Sequence, residues 1–142
     1  MDWSKLSNFT GPQASPGFQY WVNFMAWQRG LNHILRPLSL TQPQFALLAT
    51  IGWITQDGSS LSQQRLADFL SLDRMLVSQI ISRLDRDGLV TRKLAAEDRR
   101  RKGLKLTELG ISKVSEALPL VEGFDKAFFA GGLPTSHPSR DV

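Results

Sequence analysis

Ser62-Gln-Gln-Arg-Leu-Ala-Asp-Phe-Leu70, Ser71-Leu-Asp73, Arg74-Met-Leu-Val-Ser-Gln-Ile-Ile-Ser-Arg-Leu-Asp-Arg-Asp87 and then Gly88: this stretch decides the fold. Its first part reads as a short amphipathic helix and its second as a turn. In the third, Val77, Ile80, Ile81 and Leu84 recur at i, i+3, i+4 and i+7, the spacing of a helix with one face on a core. Gly88 supplies the left-handed stop. Directly after it, Leu89-Val-Thr-Arg-Lys93 and Lys102-Gly-Leu-Lys-Leu106 alternate as paired strands do, on either side of the charged run Glu97-Asp-Arg-Arg-Arg101. Helix, turn, helix and hairpin in this order predict a winged helix-turn-helix, a mainly α fold with a small β-hairpin wing.

The core-facing set leaves Arg74, Met75, Leu76, Ser78, Gln79, Ser82 and Arg83 pointing outward, and this set suits duplex DNA. Glutamine pairs bidentately with adenine, serines reach base edges or phosphates, and arginines take guanine or backbone oxygens. Met75 and Leu76 cost solvation at an exposed helix start unless something covers them. Thymine methyl groups are one partner, and for Leu76 a place under the first helix is an equal alternative. Arg99, Arg100 and Arg101 are expected at the hairpin tip, where guanidinium groups enter a narrow minor groove.

Charge points the same way. The chain carries a net +4, yet the window from Arg83 to Lys105 holds nine basic and four acidic residues, and everything outside it is slightly negative. A positive excess confined to the second helix and the wing is the footprint of a polyanion partner, against the plainer reading of a solvated charged face. Base stacking on exposed aromatics marks most binders of RNA and single strands. No Phe, Tyr or Trp lies between Leu70 and Gly123, which favours the duplex.

Outward from this unit, residues 1–14 contain Gly11 and Pro12 without periodicity and read as a flexible arm. Residues 15–37 read as a dimerisation helix, with Ser15 as cap and Pro16 in the first turn. That helix carries two apolar stripes, one of Phe18, Trp21, Val22 and Met25, the other of Tyr20, Phe24, Trp27, Leu31, Ile34 and Leu35. A surface helix needs one stripe; two imply burial against its own lobe and against a second subunit. Thr41-Gln-Pro-Gln44 has the form of a capping box, with Leu40 and Phe45 as its hydrophobic staple, and opens a helix to about Gln56. Asp57-Gly58 is a turn, and Ser60-Leu61 is expected as a short strand completing the wing sheet. The winged unit thus covers residues 41–106. Residues 107–129 form a long second dimerisation helix that Pro119 should kink or split, and residues 130–142 read as a disordered tail. A chain of 142 residues accommodates one domain.

Other classes of function find little support. There are two histidines, His33 and His137, and no cysteine, so neither a catalytic cluster nor a metal site is expected, and no cofactor. The 42% hydrophobic content is that of a globular protein, and without a long apolar run or a leader the chain is expected in the cytoplasm, away from membranes. Tyr20, Trp21, Phe24, Trp27 and Trp53, with Phe18, form a candidate cleft for a small aromatic effector, although such a cluster is more often plain core. A winged helix serving only as a protein-interaction module is the alternative function.

Leu40-Thr41-x-x-Gln44-Phe45, Leu84-x-x-x-Gly88-Leu89-Val90-x-Arg92, Asp98-Arg-Arg100 and Leu106-Thr107-x-x-Gly110 together resemble the MarR family of bacterial transcriptional regulators, over roughly Pro16 to Phe129. The resemblance implies a homodimer that binds pseudo-palindromic double-stranded DNA, commonly as a repressor, and often releases it on sensing a ligand or oxidant. It also implies that Asp98 pairs with Arg100 to hold the wing, leaving Arg99 or Arg101 for DNA. The chain departs from the family pattern at its C-terminus, where Gly131-Gly132 and a Pro/Ser tail replace a final bracing helix.

Overall fold

Short polar side chains start most helices of the computed structural model, which describes residues 1–92, 94–95 and 98–132, the stretch from 94 to 102 by backbone alone. Helix α1 spans Pro16–Leu35 and α2 spans Gln42–Thr55. Thr41 and Gln44 form the reciprocal capping box at the head of α2, the Gln44 Oε1 accepting from the Thr41 amide at 3.0 Å. Leu40 and Phe45 are both buried beside it, as a staple requires. Ser15 departs from expectation. Its backbone is extended as a cap's should be, but its side chain makes no capping hydrogen bond, and proline at the first position removes one donor in need of a partner.

Helix α3 (Gln63–Leu70) is capped by Ser62, and α4 (Arg74–Arg86) by Asp73, whose carboxylate accepts from the Met75 amide at 2.9 Å. Ser71 turns the chain between them at φ 54°, a left-handed conformation that closes α3 tightly enough for α4 to cross it. Gly88 ends the unit at φ 73°.

The hairpin that follows is interrupted. Strand β1 (Val90–Thr91) pairs antiparallel with β4 (Lys105–Leu106), while β2 (Leu94–Ala95) pairs with β3 (Asp98–Lys102) through an irregular register. The continuous pairing expected of Leu89–Lys93 with Lys102–Leu106 is therefore split into an inner and an outer ladder. Ser60-Leu61 does not become a strand: the Leu61 carbonyl accepts one bond, from the Leu104 amide at 2.8 Å, and the chain then turns into α3.

Helix α5 (Glu108–Phe128) continues through Pro119 and is not split there, which removes one of the two outcomes expected of that proline, a kink or a split. The proline faces solvent, so water can cover the carbonyl that loses its donor, and Ala117 and Val121 pin the helix to the core on either side. The N-terminal segment, read as a flexible arm, holds some local structure. It makes two short 3-10 turns, Trp3–Lys5 and Pro12–Ala14, and the Trp3 indole donates to the Phe9 carbonyl at 2.8 Å. Most of the expected disordered tail lies outside the described residues.

One apolar core joins these elements. It takes Leu31 and Leu35 from α1, Leu47, Leu48 and Ile51 from α2, Leu66 from α3, Val77, Ile81 and Leu84 from α4, Val90 and Leu104 from the wing root, and Ala117 and Val121 from α5. No polar or charged side chain is buried among the described residues. Polar ties sit at its edge: the Trp27 indole donates to the Asp125 carboxylate at 2.8 Å, and the Lys113 ammonium to the Leu38 carbonyl at 2.9 Å.

Candidate nucleic-acid interface

Three residues of α4 lie in the core, which fixes the helix's rotation: Val77, Ile81 and Leu84 have no accessible surface. The opposite face carries Arg74, Met75, Leu76, Gln79 and Arg83 in the open, with Ser78 half-buried at its margin. Met75 is 71% exposed, an apolar side chain left in water at the first turn of the helix. Leu76, at 43%, does not tuck under α3, which settles its two alternatives in favour of the outward one.

Two of the outward arginines and serines are engaged within the lobe. Arg83 meets Asp87 at 3.2 Å, an exposed i,i+4 pair that solvent screens. Ser82 departs from the outward, unattached position expected of it. It is half-buried and its hydroxyl accepts a 2.6 Å hydrogen bond from Nη2 of Arg92, whose Nε lies 3.5 Å from the Asp85 carboxylate. Arg92 was legible in the sequence only as part of a family-like motif; nothing in spacing or charge marked it as the link between helix and wing.

Arg99, Arg100 and Arg101 fall on strand β3 together with Asp98, rather than at the hairpin turn. Their side chains, and with them the expected Asp98 to Arg100 pair, lie outside the described residues. The strand places them on the wing, and the wing root is bolted to α4 one turn beyond Gln79, so helix face and wing belong to one end of the lobe.

The candidate cleft does not form as one cluster. Tyr20, Trp21 and Phe24 stand exposed along the first half of α1, while Trp27 turns inward toward Phe24, Phe129 and Asp125. Trp53 belongs elsewhere. It meets Phe69 in a tilted pair, ring centroids 6.0 Å apart and planes at 38°, and lines an open groove of about 560 Å³ with Ala49, Gly52, Gln56, Val114 and Leu118, so α2, α3 and α5 form the walls without α1. Among the described residues no group of His, Asp or Glu is arranged to hold a metal ion.

Two helices crossing at a tight turn, the second with a buried stripe and a free polar face, and a two-stranded arm rooted on that second helix define a winged helix-turn-helix. Relatives bear this out. The MarR family model matches residues 40–102. The chain is 38% identical over 133 residues to the HTH-type transcriptional regulator YdcH of Bacillus subtilis (strain 168), a match spanning 94% of this chain and 89% of the relative. The chain therefore belongs to the MarR family of transcriptional regulators. Its fold is shared by S. aureus MepR, solved in complex with DNA, at TM-score 0.76 and 22% identity over 92% of this chain and 88% of MepR. CouR from Rhodococcus jostii RHA1, solved bound to p-coumaroyl-CoA, superposes at TM-score 0.75 and 23% identity, covering 89% of this chain and 87% of CouR.

Proposed function

We propose that the protein is a sequence-specific binder of double-stranded DNA that represses transcription as a homodimer. The observation that carries this reading is the free face of α4, where Arg74, Met75, Gln79 and Arg83 stand in solvent directly opposite a fully buried stripe. Ser78 adds a base-edge or phosphate contact at the margin of that face, and the wing arginines Arg99, Arg100 and Arg101 supply the minor-groove arm. MepR, with the same fold, has been solved on DNA, which supports the assignment.

The dimer follows from what the lobe leaves uncovered. Phe18, Tyr20, Trp21, Val22 and Phe24 of α1 and Ile111, Leu118, Leu120 and Phe128 of α5 are exposed, and large apolar side chains gathered on two helices in this number favour a protein interface. In this organisation residues 15–37 and 107–129 are dimerisation helices flanking the winged unit at 41–106, all within a single domain. The Trp53 groove is assigned to a small aromatic effector, and CouR, solved with an aromatic acyl thioester, supports that chemistry.

Selection of preferred sites from a random duplex pool tests the reading, followed by affinity across a salt series. An inverted repeat and a steep fall of log affinity with log salt are expected, the slope counting the neutralised phosphates. No enriched sequence and a flat salt response would instead mark a protein-interaction module. Tryptophan fluorescence against a panel of phenolic acids tests the groove, with Trp53→Leu expected to abolish the response.

A further inference from the structure

The wing is paired in two separate ladders, and what lies between them decides where its outer half points. The inner ladder ends at Thr91 opposite Lys105, and the outer one begins at Leu94 opposite Lys102; neither register includes Arg92 or Leu104. Each arm has its own anchor at this gap. On the returning arm Leu104 is buried and its amide donates to the Leu61 carbonyl at 2.8 Å, just ahead of α3. On the outgoing arm Arg92 reaches across to α4, touching Ser82 at 2.6 Å and Asp85 at 3.5 Å.

Ser82 and Asp85 lie three residues apart on one face of α4, so a single planar guanidinium spans both, which the point charge of a lysine does not. Nε of Arg92 is buried and has no aligned acceptor among the described residues, so its attraction to Asp85 is Coulombic and the directional bond is the one to Ser82. The side chain of Arg92 is 28% exposed against 62% for Arg83, so its guanidinium is the better shielded of the two, while the carboxylates of Asp85 and Asp87 are similarly open at 47% and 42%.

We propose that Arg92 is a positioning residue that fixes the direction of the outer wing relative to α4, and so holds the two DNA-reading elements in one register. The proposal rests on the DNA-binding reading for its consequence but not for its geometry. Ser82 follows Gln79 by one helical turn, so the guanidinium grips α4 beside the side chain best placed to read a base.

The chain contains no cysteine, so Arg86→Cys and Ala95→Cys introduce a clean pair of spin labels, one on α4 and one on the outer wing. In the otherwise native protein a single narrow distance distribution is expected. Arg92→Met, which keeps the stem and removes the fork, should broaden or displace it. In the unlabelled protein, the same change should lower the ratio of selected-site to random-duplex affinity at least roughly fivefold, the size of one mispaired base, while the salt slope on random duplex stays unchanged. Ser82→Ala should shift both readouts the same way, the double variant Arg92→Met/Ser82→Ala should be no worse than Arg92→Met alone, and Arg92→Lys should not restore either.

An unaltered distance distribution overturns the proposal. So does restoration by lysine, which would make Arg92 a charge only, and so does a reduced salt slope, which would make it a phosphate contact. If Arg92→Met fails to fold, Ser82→Ala carries the comparison, since it removes one half-buried hydroxyl and leaves the core intact. The distance measurement needs no DNA; failure of the DNA-binding reading would show separately, as no selected site for the native protein.

Discussion

Gln79→Ala separates base reading from everything else that α4 does. The side chain is exposed, and among the described residues none bonds its carboxamide, so removing it from a helix surface changes stability by less than about 0.5 kcal/mol. A bidentate glutamine to adenine contact discriminates by about 1 to 3 kcal/mol, and a homodimer loses it in both half-sites, about 2 to 6 kcal/mol in total. Because glutamine is neutral it displaces no counterion, so random-duplex affinity and its salt slope should both survive. Fluorescence anisotropy with the selected duplex and a scrambled one, each measured from roughly 50 to 200 mM salt, reads all three quantities. Affinity for the selected site should fall while the scrambled duplex is unmoved. Equal losses on both duplexes, or no loss on either, would refute the placement of Gln79 against a base.

Arg83→Ala should behave in the opposite way: its ion pair with Asp87 is 62% and 42% exposed and contributes little to stability, but loss of a phosphate contact lowers the salt slope by about 0.9 per protomer on every duplex tested. Trp21→Asp, at a position 63% exposed in the lobe, should convert the dimer to monomer in sedimentation with the helical signal retained; an unchanged mass would place the interface elsewhere. Ser71→Gly should raise the melting temperature slightly, because a left-handed φ of 54° strains serine and not glycine, and a lower melting temperature would show that the hydroxyl matters more than the backbone.

The elements legible in the sequence are those with local causes. The capping box at Thr41 and Gln44 and the glycine stop at Gly88 each act within four residues, and the structure uses both; Ser62 and Asp73 cap α3 and α4 by equally local bonds that the sequence reading did not name, while Ser15, which it did name, makes none. What the sequence concealed depends on distant partners. The break in the wing follows from anchors that Leu61 and Ser82 offer to residues far along the chain, and strand alternation alone does not reveal it. Pro119 was expected to kink or split α5 on a local rule, and with Ala117 and Val121 packed on the core to either side the helix does not split. For the candidate site, helical periodicity assigned the outward face of α4 correctly except at Ser82, the one position whose hydroxyl another element claims. Trp53 shared only aromatic character with the residues of α1, and composition carries no information about which wall of the lobe a ring occupies.

The joint between α4 and α5 links reading to assembly. Thr107 caps α5 through the Gly110 amide at 3.0 Å while its own hydroxyl donates to the Gly88 carbonyl at 2.6 Å, so the first turn of α5 is built on the end of α4. Gly110 packs directly against the Leu89 carbonyl, where a Cβ would collide with backbone. There is no slack there, and α5 then extends 21 residues, about 31 Å, to the apolar face assigned to the partner subunit. A rotation of α5 imposed at that face, or from the Trp53 groove through Val114 and Leu118, must therefore move α4. Gly110→Ala wedges this joint. It should cost about 1 to 3 kcal/mol of stability as an overpacked contact. Below its melting temperature it should also lose selected-site affinity while keeping the random-duplex salt slope, because two reading helices that must sit about 34 Å apart are misaligned rather than unfolded. Stability loss with undiminished discrimination would show that the joint yields, and that the spacing of the two helices is set without α5.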